Sequence, residues 1–154
     1  MTKVKEVVWT YNNKKVTSVA NMPEGVLGII YKITNLTNDK YYYGRKTVVS
    51  LRKKKMTKKE KLLPENKRKT VKRTYVEVSG WKKYTGSSKP LLEDIAKGDK
   101  YKKEIVKYCF SKAEITYYET EAIICSQCLL TEDCYNGWIS AKVYKSHLLT
   151  KKEE

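Results

Sequence analysis

Apolar and polar positions alternate in short runs through residues 5–20, "KEVVWTYNNKKVTSVA". Two β-prone stretches, 7–11 and 16–19, flank "NNK", a pattern that predicts a hairpin with asparagine at its turn. "NMPEG" then breaks the chain. A second hairpin is expected from residues 27–34 and 40–43, with "NLTND" as its loop. Residues 73–80, "RTYVEVSG", predict a further strand. "GWKKYTGSSKP" follows as a turn into a helix that Ser87 or Ser88 can cap, with Pro90 tolerated in its first turn. That helix continues through "LLEDIAKG" and stops near Gly98. "YKKEIVKYCF" alternates as a strand, with Val106, Tyr108 and Phe110 expected on one face. "SKAE", Ser111 to Glu114, is a capping box that starts a helix. Its apolar stripe is Ile115, Tyr118, Ala122, Cys125 and Leu129, and its end is expected near Thr131. The order of elements predicts one α+β domain over residues 1–154, an antiparallel sheet with helices packed on it.

Composition narrows the function more than the fold. Hydrophobic residues make up 40% of 154, enough for a core in one domain. Lys+Arg minus Asp+Glu is 33 − 17 = +16. Such an excess attracts polyanions, and a phosphate backbone answers it best, because each neutralised phosphate releases counterions. No apolar run approaches the roughly 20 residues of a membrane span, and "MTKVKEVVWTYNN" lacks the apolar region of a secretory signal. A cytoplasmic location is expected, that of a host if the chain is viral. The charge concentrates in residues 45–75, where 14 Lys/Arg face two acids, Glu60 and Glu65. This basic insertion is expected as a mobile loop or as short helices that order on a partner. Cys125, Cys128 and Cys134 hint at zinc, but Cys125 and Cys128 fall inside the predicted helix, where small core residues are the simpler reading.

"GIIY" and "YYG", Gly28–Ile29–Ile30–Tyr31 and Tyr42–Tyr43–Gly44 with its preceding tyrosines, resemble the paired tripeptides of the GIY-YIG nuclease family. Tyr31 and Tyr42 are eleven residues apart, as in that family. A basic residue, a later helical glutamate and a late asparagine follow in the family's order, so the resemblance covers a core of about 26–138. It implies a small three-stranded antiparallel sheet flanked by helices, to which this chain would add an N-terminal hairpin and the basic insertion. Tyr42 to Lys46 and Trp81 to Ser87 resemble a phage-type branch. The implied activity is hydrolysis of DNA phosphodiesters by a Mg²⁺- or Mn²⁺-dependent endonuclease, with a homing or DNA-degrading role. A homodimer on double-stranded DNA is one way for a single module to cut both strands. A catalytically silent nucleic-acid-binding protein of the same fold is the rival.

Phosphodiester hydrolysis needs a deprotonated water in line with the leaving oxygen, cationic relief at the phosphoryl oxygens and a proton for the leaving group. Tyr31 is the expected base, provided that a cation or metal lowers a phenol that ordinarily titrates near 10, and the nearby lysines and arginines are the expected kind of neighbour. Tyr42 would hold the water or a phosphate oxygen. The catalytic cation is expected at Lys46, with Arg45 and Arg52 behind it. The resemblance points to Glu119 as the metal ligand. Glu121 stays open, because helix geometry puts both about 80° from the apolar stripe. Asn136, in "CYNGW", would bind phosphate or orient the glutamate, and as "NG" it also reads as a plain turn. Lys53, Lys54, Lys55, Arg68, Lys69 and Arg73 of the insertion, with Tyr84, Ser87, Ser88 and Lys89 near the helix start, are the candidate DNA contacts. Met56 stands where the family commonly has histidine or tyrosine, and the lone His147 lies near the end of the chain, so the leaving-group acid is left to Tyr84 or a metal-bound water.

Overall fold

A computed structural model describes residues 6–54, 57–66 and 73–149, the side chains of 51–54, 66 and 73–77 excepted. Trp9–Tyr11 (β1) and Lys14–Val16 (β2) form the first hairpin. Its turn residues Asn12 and Asn13 both have positive φ, 48° and 64°, a conformation asparagine tolerates well. Gly28–Asn35 (β3) and Tyr41–Thr47 (β4) form the second. Asn35 ends β3 by accepting from the backbone N–H groups of Thr37 and Asn38, so the side chain itself starts the turn.

The sheet is larger than the three antiparallel strands expected. Five strands pair in the order β2-β1-β7-β3-β4, where β7 is Tyr101–Cys109. β7 runs antiparallel to β3 and parallel to β1, so the N-terminal hairpin is joined to the sheet and the sheet is mixed. Burial drives this union. Trp9 is 1% exposed, donates its indole N–H to Trp81 O at 2.9 Å, and meets the Tyr31 ring edge-on at 5.2 Å.

The basic insertion differs from its expectation too. Val49–Lys54 (β5) and Arg73–Val78 (β6) pair as a separate antiparallel hairpin, Val49 opposite Val78 and Leu51 opposite Val76. A short helix, Lys58–Leu62 (α1), lies between them, with Thr57 as its cap. The strand at 73–78 was expected from "RTYVEVSG", whereas the two-residue period of its partner, "VVSLRKK", was hidden by the lysines around it. Lys55, Met56, Arg68 and Lys69 lie outside the described residues.

Lys89–Ala96 (α2) starts at Ser88, whose hydroxyl accepts from Leu91 N. Lys112–Cys125 (α3) starts at Ser111 in the same way, and Glu114 reaches back to Phe110 N. Lys145–Leu148 (α4) is one short turn. The sheet separates two apolar clusters. Ile29, Tyr31, Ile33 and Ile105 pack with Trp9, Trp81 and Leu91 on one side, and Ile30 and Cys109 pack under Ile115 of α3 on the other.

Two sequence expectations fail at identifiable places. The β3–β7 register slips between Ile30 and Tyr31, leaving Val106 as an extra residue. Beyond such a bulge the alternation changes phase, so Lys103, Ile105, Tyr108 and Cys109 are buried while Val106 and Phe110 are exposed. In α3, Ile115 and Ile123 are the buried positions, whereas Cys125 is exposed. The helix is therefore rolled by several tens of degrees from the expected stripe. It stops at Cys125 because Gln127 turns left-handed, with φ 56°. Cys128 is buried in the following turn and Leu129 is exposed.

Lys103 is 2% exposed, and its ammonium donates to Lys82 O at 2.9 Å and Tyr84 O at 3.2 Å while lying over the Trp9 ring. Burial pulls its pKa down from 10.5 to about 8. Below pH 8 both folded and unfolded chains carry this proton. Between pH 8 and 10.5 the unfolded chain binds more of it, so the Lys103 contribution to stability rises with pH. Chemical denaturation across this range should show wild type gaining on Lys103→Met as pH rises. A constant difference between the two proteins would contradict it.

Candidate active site

The site begins with a missing side chain. Tyr31 on β3 lies opposite Gly44 on the edge strand β4. A Cβ at Gly44 would meet the Tyr31 hydroxyl, and would come within 2.5 Å of Cζ and 2.9 Å of Tyr42 Cε1. The Tyr31 ring thus crosses the edge strand where only glycine fits. Tyr42 is diagonal to it on the same face, with ring centroids 6.2 Å apart, and Tyr84 completes a trio at 6.0 Å from Tyr31. Gly86, with φ +89°, brings its backbone against Tyr42 and the Tyr31 hydroxyl. Tyr42 shares a hydrogen bond with Ser87 at 3.2 Å.

These groups face a cleft of about 590 Å³ that also takes in Arg45, Glu119, Asn136 and the start of α2 at Ser87, Ser88 and Lys89. The roll of α3 separates the two glutamates: Glu119 lines the cleft, while Glu121 lines a shallower groove with Tyr43 and Tyr118. Arg45 Nε lies 3.2 Å from Glu119 Oε2, and its Nη1 donates to Thr116 at 2.9 Å. Lys46 leaves the strand on the opposite side from Arg45, and its ammonium sits 4.5 Å from the Tyr84 ring centroid. Arg52 belongs to the outer β5–β6 hairpin, its side chain outside the described residues, as are those of Lys53, Lys54 and Arg73. Arg45, not Lys46, is therefore the cation paired with Glu119.

Asn136 has a different occupation from the expected phosphate contact. Its Oδ1 accepts from Tyr43 N at 2.9 Å and its Nδ2 donates to Tyr43 O at 2.8 Å, so the amide pairs with the edge strand as a backbone would. Around it, Tyr41 N donates to Asp133 O and Tyr135 N to Tyr41 O. Tyr135 is anchored by donating to Asp94 at 2.7 Å and accepting from buried Asn35 at 3.1 Å. The role of Asn35 was missed in the sequence, where its strand-end position signalled only a turn. His147 packs on Tyr144 in α4, apart from the cleft-lining residues.

Electrostatics run against one expectation. Burial, and then the phenols of Tyr42 and Tyr84, push the Tyr31 pKa well above its ordinary value. Neighbouring lysines and arginines do not lower it. Tyr42 is raised by burial, with Ser87 pulling the other way. Burial raises Glu119, and Arg45 offsets part of the rise.

The family model described as "Putative endonuclease segE, GIY-YIG domain" matches residues 9–139. The chain belongs to the GIY-YIG nuclease family. The matched span takes in the N-terminal hairpin, whose Trp9 supports Tyr31, as well as the GIY-YIG strands themselves. No curated protein and no solved structure matches the chain. GIY-YIG membership implies an endonuclease, a hydrolase with a nucleic-acid substrate. Among the described residues, no helix is long and apolar enough to cross a membrane.

Gly44→Ala should force the Tyr31 phenol out of its place, since the ring cannot yield without moving Tyr42 and Tyr84. Overpacking of this kind destabilises by about 1–3 kcal/mol. Urea denaturation should register that loss, and a variant as stable as wild type would count against the close approach.

Proposed function

We propose that the protein is a divalent-metal-dependent DNA endonuclease whose catalytic groups are Tyr31, Tyr42, Arg45 and Glu119. The observation that carries the reading is that one carboxylate, one guanidinium and a trio of phenols open onto the same cleft. Glu119 is the metal holder. Its carboxylate is 23% exposed and stands among hydroxyls, an all-oxygen set suited to Mg²⁺ or Mn²⁺, with water and phosphate completing the coordination. Among the described residues no cluster of three or more histidine, cysteine or acidic groups forms a closed protein-only metal site. An open, one-carboxylate site fits an ion shared with substrate.

Arg45 neutralises phosphoryl charge and holds Glu119 ionised. Tyr42 and Ser87 orient a phosphate oxygen or the attacking water. Tyr31, raised by burial, keeps its proton at neutral pH and becomes a base only beside added positive charge. A divalent ion held by Glu119 would supply that charge, lower the pKa of the phenol and of a water beside it, and relieve the phosphoryl oxygens. Ser88, Lys89 and the basic β5–β6 hairpin are the backbone contacts, so binding falls steeply with salt. Asn136 is a positioning residue that fixes the edge strand beside Gly44.

Plasmid cleavage tests the reading. Wild type with Mg²⁺ should nick or linearise supercoiled DNA, and EDTA or Glu119→Gln should abolish this. Tyr31→Phe should lower kcat by about 100-fold or more, the usual range for a lost acid–base group. Equal cutting by all three proteins would sink it.

The Glu119 shift adds a pH signature. Only the carboxylate form holds the cation, so activity falls as pH drops through its pKa, which burial has raised above 4.5. Arg45 lowers that pKa, hence Arg45→Gln should move the acid limb of kcat/KM to higher pH. A limb that stays put, or moves down, would separate Arg45 from Glu119.

A further inference from the structure

The three tryptophans divide sharply. Trp9 and Trp81 are 1% and 0% exposed, whereas Trp138 is 74% exposed. Trp138 nevertheless does not lie on an arbitrary stretch of surface. It lines the cleft that Glu119, Tyr31, Ser87 and Ser88 also line. Two residues earlier, Asn136 is clamped to both backbone groups of Tyr43, and one residue earlier still Tyr135 is tied to Asp94 and Asn35. The indole is thus presented from a segment held to the edge strand.

Leaving an indole in water forgoes one of the largest apolar burials available to a side chain, so an exposed one beside a polar cleft calls for an occupant. The walls of the cleft suit a phosphodiester, which leaves an apolar, flat surface at its rim for the group attached to that backbone. That group is a nucleobase. Every base has a π-face, and stacking on an aromatic side chain is tolerant of sequence. A base inside an intact duplex offers only its edge, so contact through the indole face requires the base to leave its stack.

We propose that Trp138 stacks on a nucleobase displaced from the helix next to the cleaved linkage, so that the enzyme favours DNA whose bases unstack readily at the cut. The inference rests on the endonuclease reading above and extends it to a substrate preference. Stacking leaves the chemistry to other residues; Trp138 binds substrate and sets where the backbone can be distorted enough to enter.

Fluorescence separates this inference from the broader reading. Glu119→Gln protein should be titrated with two mixed-sequence oligonucleotide duplexes, one fully paired and one with a central unpaired base. Quenching of the exposed indole emission should accompany binding, and Trp138→Phe should abolish it, because Trp9 and Trp81 are shielded. In cleavage assays wild type should cut the unpaired-base duplex faster than the paired one. Trp138→Ala should reduce kcat/KM on it by about tenfold or more, and Trp138→Phe should restore most of the loss. DNA that is bound and cut with no quenching, or with Trp138→Ala as active as wild type, would overturn the stacking role and leave the endonuclease standing. Absence of both binding and cleavage would bring down the two together.

Discussion

The contact between the Tyr31 ring and the bare backbone of Gly44 is the constraint on which the rest of the site turns. It lays a phenol from an inner strand over the sheet's outermost strand, into the cleft that Glu119 of α3 also lines. Three aromatic neighbours hold it there, Trp9 from the first hairpin, Tyr42 from the same face and Tyr84 from the connection before α2. Packing at native density allows such a ring little freedom. The same burial, with the phenols of Tyr42 and Tyr84, raises its pKa well above the ordinary tyrosine value.

The outer strand needs support to serve in this way. Unpaired sheet edges are prone to slip or to recruit other chains. Here residues 133–136 cover the edge, beginning with the parallel bridge between Tyr41 and Cys134 and ending with the side-chain pairing of Asn136. Lys103 does comparable service on the other flank by holding the carbonyls of Lys82 and Tyr84. Asn136 itself lines the cleft, and Lys103 acts one step behind it through Tyr84.

Local signals were the legible ones. Ser88 and Ser111 capped their helices as read, because a cap is decided by a few adjacent residues. The paired tyrosines also stood out, since a tyrosine beside glycine on each arm has a local pattern. What was illegible depended on distant partners. The resemblance pointed to Glu119 over Glu121, but their placement, one in the cleft and the other in a separate groove, depended on how α3 packs. Lys103 reads as one more surface charge until Trp9 is laid over it. The bulge at Val106 has no marker of its own and reverses which residues of β7 face inward. In the basic insertion β6 was legible, whereas the charge density around β5 concealed its period.

The cleft draws its walls from residues 31, 42, 45, 84, 119 and 136, spread over most of the chain. A fragment must reach residue 136 before it can hold all of them. No amino-terminal fragment owns a complete set, and a truncated product ending before Asn136 lacks the strap that steadies its edge strand.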